Sequence, residues 1–248
     1  MTEQSREFLR FHLYGPLAAW GNVAVGEQRP SAGHPSKSAI MGLVAAALGI
    51  RRHEEDKINE LNIAYGFGVR VNSAGELMRD YHTSQVPPDK HKAKFYTRRD
   101  ELANSELYTI LSSRDYRMDA CYTVALWAKI NTAPFTLEKL GTAIKQPKLT
   151  LYLGRKSCPL AMPIEPEVVP APTLKHALDY AELPNAFLKN IPKGALVAYY
   201  WEDLENTDPG MSATMVYPRR DQLLNRARWQ FSERNEYYYA EPYKEEIA

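Results

Sequence analysis

The run AIMGLVAAALGI, residues 39–50, is apolar nearly all the way round. Ser36-Lys37-Ser38 precedes it as a plausible cap and Gly49 stops it, so the sequence predicts a helix over 37–48. A helix without a polar face is stable only when covered. The chain must therefore wrap its other elements around this one.

Those elements follow from periodicity. EFLRFHLY (7–14) alternates, with Leu9, Phe11 and Leu13 on one face and Arg10 and His12 on the other, as a half-buried strand does. HEEDKINELN continues the helix as a second, amphipathic one, and IAYGFGVRVN (63–72) and ELMRDYHT (76–83) read as strands. CYTVALWAKI (121–130), rich in β-branched and aromatic residues, is the clearest strand of the chain. FTLEKLGTAIKQP has helix spacing at Leu137, Leu140 and Ile144, and LTLYLG (149–154) reads as a closing strand. Without the long excursion after residue 83 and one extra strand, the order is that of a split βαβ, the ferredoxin-like pattern.

Beyond Gly154 the texture changes. Pro159, Pro163, Pro166, Pro170 and Pro172 break the chain every few residues, and strand-like runs return at 195–202, 213–218 and 236–240. The expected fold class is α+β: a ferredoxin-like (RRM-like) domain over 1–154 with an inserted arm at about 83–119. A smaller β-rich region, 155–248, packs on it.

At 248 residues, 44% hydrophobic and 25% charged, the chain has the composition of an ordinary globular protein with a proper core. No apolar run reaches the roughly 18 residues that span a bilayer, and the start shows no signal peptide. A cytoplasmic protein without membrane attachment is expected. Cys121 and Cys158 are too few for a disulfide framework, and the six histidines show no metal-binding spacing, so no metal and no cofactor is expected.

The formal charge of +1 hides an uneven distribution. From Arg79 to Arg99 six Lys and Arg stand against two Asp. Within that segment DKHKAKFYTRR interleaves cations with Phe95 and Tyr96, the composition of a surface for single-stranded nucleic acid. ELYTILSSRDYRMD (106–119) returns with more cations and tyrosines, so the two limbs read as a protruding hairpin. Ser36-Lys37-Ser38 at a helix start is either a phosphate site or a simple cap. GRKS (154–157) puts two cations and a hydroxyl behind a flexible glycine. Trp20 is either a stacking platform or a core-sealing aromatic. Catalytic signatures are thin. Lys90 beside His91, or His34, supplies the acid/base group of an alternative reading as a metal-independent endoribonuclease.

Five blocks in order, GPLAAWG, RPSAGHPSKSAIMGLVAAALGI, MRDYHT, DACYTVALW and YLGRKSCPL, resemble the CasD family of the type I-E CRISPR Cascade complex. The likeness covers residues 7–163 and fades beyond, where a YPRR…RARW stretch matches the family's ending. The resemblance implies an RRM-like domain of the repeat-associated (RAMP) RNA-binding superfamily with a β-hairpin thumb. It also implies a non-catalytic role in antiviral defence, holding the repeat-derived 5′ handle of crRNA. Implied partners are the Cascade backbone subunit and large subunit, with target DNA nearby.

On that basis Gly154 lets the backbone approach the RNA, and Arg155, Lys156 and Ser157 meet phosphates at the end of a strand of the RNA-facing sheet. Arg29, Lys37 and Ser38 do the same at the helix start. Arg79, Tyr81 and His82 line the base of the thumb, and Lys92, Lys94, Arg98 and Arg99 run along it.

Overall fold

The computed structural model describes residues 5–88, 94–103, 106–129, 132–179, 195–204, 208–225, 228 and 230–243. In chain order the first half contains β1 (Arg6–Tyr14), β2 (Leu17–Ala18), β3 (Trp20–Gly21), β4 (Gln28–Arg29), β5 (Ser31–Ala32), α1 (Lys37–Leu48), α2 (Glu55–Ala64), β6 (Tyr65–Ser73) and β7 (Glu76–Val86). Then come α3 (Arg98–Leu102), β8 (Tyr108–Met118), β9 (Cys121–Ala128), α4 (Leu137–Lys145), β10 (Glu167–Ala171), α5 (Leu174–Asp179), β11 (Leu196–Trp201), β12 (Met215–Asn225) and β13 (Gln230–Pro242). The fold is mixed α and β, with mostly antiparallel sheets.

Among the described residues the main sheet has seven strands in the order β10-β1-β9-β6-β11-β13-β12, every neighbouring pair antiparallel. Its alternation is the one the sequence carries: Leu9, Phe11 and Leu13 point to one face, together with Val124, Leu126, Phe67 and Val69. Helices α1, α2 and α4 cover that face. Helix α1 begins at Ser36, whose hydroxyl accepts from the Ala39 amide, and ends at Gly49 with φ 81°. Ile40, Met41, Leu43, Val44, Ala45 and Ala47 are all buried, as an all-apolar helix requires.

The opposite face is covered too. Phe8, Trp127, Tyr199 and Trp201 lie under α5, whose Leu174, Ala177 and Leu178 are buried against them. The two glycines of β6 fit here by close approach. A Cβ on Gly66 would stand 2.0 Å from the Trp127 indole, and one on Gly68 would stand 2.9 Å from Leu174. The sheet therefore offers no open face to a ligand where α5 sits.

Two expectations need correction. LTLYLG is not the closing strand: β10, Glu167–Ala171, takes that place beside β1. Pro170 fits there because an edge strand can spare an N–H. Residues 148 and 149 instead donate amides to the carbonyls of Ala47 and Ala46, near the end of α1, at 3.0 and 3.2 Å, and Leu151 and Leu153 pack into the core. Nor does the sheet divide at residue 154. Strand β10 edges the sheet through β1, and β11, β13 and β12 extend it from β6.

The C-terminal strands are joined to α1 by a buried network of charges. The Lys37 ammonium lies 2.8 Å from Glu202, and the Lys37 amide donates to Asp221 at 2.8 Å. Arg234 forks onto Asp221 at 2.7 and 2.9 Å and reaches Glu236 at 2.7 Å. Glu236 also accepts from Arg219 at 2.9 Å and lies 3.0 Å from the His34 imidazole. His34 is stacked on the Tyr200 ring at 3.6 Å between centroids. Burial would raise the Glu236 carboxyl, but the His34 hydrogen bond and the charges of Arg219 and Arg234 outweigh it and hold it at about 2. Desolvation pushes the His34 imidazole below its ordinary value.

Candidate nucleic-acid interface

Strands β7 and β8 form a hairpin in unbroken register, from Glu76 opposite Met118 out to Val86 opposite Tyr108. The arm expected from the sequence is therefore a two-stranded ribbon, and it carries the short helix α3 near its tip. Thr97 caps α3 in a reciprocal box with Asp100. Arg98 pairs with Glu101 at 2.6 Å and donates to the Gln85 carbonyl, which pins α3 to β7.

The root of the hairpin is held by three separate contacts. Strand β2 pairs with β8 at Arg117 and Met118, and β4 pairs with it in parallel at Ser113 and Arg114. Between these pairings Arg155 donates from Nη1 to the Asp115 carbonyl at 3.2 Å and from Nη2 to the Arg29 carbonyl at 3.0 Å. Its guanidinium lies 4.7 Å from the centre of the Tyr116 ring. On the other strand Arg79 forks onto the Asp115 carboxylate at 2.7 and 3.1 Å. That hydrogen bond, aided by the nearby Arg155 and Arg117 charges, holds the Asp115 carboxyl below its usual range against its burial.

Cations accumulate at this root. Arg29, Arg79, Arg114, Arg117, Arg155 and Lys156 lie there, with Glu76, Asp80 and Asp115 on the hairpin strands and Glu27 beside Ser113 as the carboxylates. The arm as a whole carries little net charge: between residues 76 and 118 eight Lys and Arg stand against seven Asp and Glu. The body adds Arg29, Arg155 and Lys156 beside the root, so the potential there is more positive than the arm's own balance gives. Large exposed side chains lie along the arm, among them Tyr81 at 74% and Tyr96 at 88%.

The residues singled out from the sequence separate into groups. Arg29, Arg79, Tyr81, His82, Arg155, Lys156 and Ser157 belong to the root or lie beside it. Arg29 is curled onto its own turn, donating to the Gly26 and Gln28 carbonyls at 2.6 and 2.9 Å. Lys94, Arg98 and Arg99 are exposed near the tip. Lys92, Lys90 and His91 lie outside the described residues.

Three readings are corrected by burial or contact. Lys37 is 4% exposed and committed to Glu202, so it cannot meet a phosphate. Ser38 beside it is only half-buried at the capping turn, its hydroxyl 3.1 Å from that of Ser36, and is not among the three. Trp20 is 2% exposed and packs edge-on to Tyr122 at 5.5 Å, so it seals the core and is no stacking platform. His34 is buried in the charge network and is not poised as an acid or base.

The glycine of GRKS also has a different task. Gly154 has φ 84°, and a Cβ there would lie 1.9 Å from the Ala19 carbonyl oxygen. Its freedom brings the turn against the chain's own backbone, beside Ala19 rather than at a sheet-strand end. Arg114 and Arg117 were not singled out in the sequence. The signal was their spacing in the returning limb, Arg-Asp-Tyr-Arg, but only the strand register shows that Arg114 lies opposite Arg29 and Arg117 opposite Ala18. Among the described residues no group of three or more His, Cys, Asp or Glu is placed to hold a metal ion. No helix among them is long and apolar enough to cross a membrane.

The model of the family described as CRISPR-associated protein (Cas_Cas5) matches residues 8–236. The chain belongs to this Cas5 family. CRISPR system Cascade subunit CasD of Escherichia coli (strain K12) is 34% identical over 169 residues, 64% of this chain and 70% of that relative. The resemblance drawn from the five sequence blocks thus holds. A solved chain of a "CRISPR RNA-guided surveillance complex" superposes with a TM-score of 0.61 at 22% identity, over 95% of this chain and 89% of that one. Another, "Crystal structure of Cas protein", gives 0.53 at 24% identity, over 95% and 94%. Both are likenesses of fold.

Proposed function

We propose that this chain is a non-catalytic, cytoplasmic subunit of a Cascade surveillance complex that binds the repeat-derived 5′ handle of crRNA. In that role it anchors the backbone and large subunits next to it for DNA target recognition in antiviral defence. The observation that carries the reading is the concentration of cations at the root of the β7–β8 hairpin, in a chain with almost no net charge. Such a cluster suits the closely spaced phosphates of a single strand, and exposed tyrosines along the arm suit unpaired bases. The relative named as a Cascade subunit supports the assignment to that complex.

The fold supports it as well. Strands β10, β1, β9 and β6, with α1 and α4 on one face, have the order of a split βαβ, which favours the ferredoxin-like reading of this half. Because α5 covers the face opposite the helices, the RNA is assigned to the hairpin root rather than to the sheet.

The test is incubation of the purified chain with RNA of the host's CRISPR repeat in the presence of a chelator. Retention of intact RNA is expected. Discrete cuts would replace the holder by a metal-independent endoribonuclease.

A further inference from the structure

The second edge of β8 is paired in two short pieces, to β2 at residues 117 and 118 and to β4 at residues 113 and 114. Among the described residues no strand fills the gap between them, and a side chain takes its place. The Arg155 guanidinium supplies a donor to the Asp115 carbonyl, and its other terminal nitrogen holds the Arg29 carbonyl at the end of β4. Its planar face rests against Tyr116. One rigid fork thus ties β8 to β4, and both to the turn that carries Arg155.

That turn is fixed to the body. Leu153 and Cys158 are fully buried. The Leu153 amide donates to Cys158 O at 2.8 Å, the Cys158 amide to Arg155 O at 2.9 Å, and the Ala19 amide to Leu153 O at 3.0 Å. The backbone of Arg155 is therefore anchored on one side while its side chain grips the hairpin on the other. A two-stranded ribbon has little stability or fixed direction of its own, so its aim depends on how its root is held.

From this geometry we infer that Arg155 is a positioning residue: it fixes the direction of the hairpin arm, and its charge is not itself a phosphate contact. The inference rests on the RNA-binding reading and reassigns one residue within it. Phosphate contact then falls to neighbours such as Lys156, Arg114 and Arg117. Lysine cannot replace Arg155, because an ammonium is a point donor without the planar fork or the stacking face.

The test uses the full chain, its Arg155→Lys, Arg155→Ala and Lys156→Ala variants, and labelled single-stranded RNA of the host's CRISPR repeat. For a positioning residue, Arg155→Lys and Arg155→Ala both weaken binding, by about tenfold, with the salt slope of the wild type. Lys156→Ala lowers the slope by about 0.7, as loss of one single-strand phosphate contact does. Hydrogen exchange gives a reading that needs no RNA: the Ser113 amide, bonded to Glu27 O, loses protection in both Arg155 variants. If Arg155→Lys binds and exchanges like the wild type while Arg155→Ala lowers the slope, Arg155 is a phosphate contact and the inference is overturned. Unchanged Ser113 protection in both variants overturns it equally. Failure of the wild type to bind RNA, with Ser113 deprotected in both variants, would remove the RNA reading and leave the positioning role standing.

Discussion

The Lys37 ammonium and the Glu202 carboxylate, 165 residues apart in the chain, are 2.8 Å apart and almost fully buried. A cation at a helix start, the usual mark of an anion site, is here one half of an internal pair joining α1 to the end of β11. Removing one partner leaves the other charged and buried. Lys37→Met is expected to destabilise the chain by about 3–5 kcal/mol, while Lys37→Met with Glu202→Leu recovers much of the loss. Urea unfolding of the three proteins measures both. A Lys37→Met protein of wild-type stability would mean that the pair is open to water.

The same network gives stability a definite pH dependence. Both His34 and Glu236 titrate lower in the folded chain than in the unfolded one. The folded state then binds fewer protons, so stability rises with pH. The His34 contribution is complete above its ordinary value of 6.5 and shrinks as pH falls below it. The Glu236 contribution is complete above 4.5 and is lost as pH falls toward about 2, a limb to which Asp115 adds. His34→Asn is expected to flatten the upper limb and, by removing the imidazole that helps hold the Glu236 carboxyl down, to weaken the lower one. Urea midpoints across pH check this, and an upper limb equally steep in His34→Asn would assign it elsewhere.

Trp20 separates packing from binding. Its indole is buried against Tyr122, so Trp20→Ala should cost about 3–5 kcal/mol of stability. At a temperature where the variant remains folded, its salt slope for RNA binding should equal that of the wild type. A variant of unchanged stability that had lost RNA would restore Trp20 as a stacking residue.

The root and the tip of the arm differ in what they contribute to binding. With about five cations on single-strand phosphates, log K should fall against log[salt] with a slope near −3.5. Arg114→Ala and Arg117→Ala should each reduce that slope. Arg98→Ala should not, since its guanidinium is held by Glu101 and the Gln85 carbonyl. Filter binding over a salt series distinguishes the two sets, and the reverse pattern would move the contact to the tip.

The sequence was most legible where one segment's own pattern decided its fate. Alternation located β1 and β9, and the apolar run with its Ser36 and Gly49 ends located α1. The twin limbs around the basic excursion announced β7 and β8. It misled where two segments competed for one place. LTLYLG and EVVPA both suit an edge strand, but EVVPA pairs with β1 while LTLYLG sinks Leu151 and Leu153 into the core. Charge was the least legible property. Lys37, His34 and Arg155 look like solvent-facing cations in the sequence, and only partners 40 to 202 residues away show that they face inward. Conversely, Arg114 and Arg117 drew no notice because their importance depends on which strand lies beside them.

Ultraviolet crosslinking of the tagged chain in its native cells, followed by sequencing of the RNA and mapping of the crosslinked peptides, tests the central claim most directly. Short RNAs sharing one repeat-derived 5′ end are expected, joined to peptides that contain Arg29, Arg114 to Arg117 or Lys156. Scattered RNAs, or crosslinks away from the hairpin root, would contradict it.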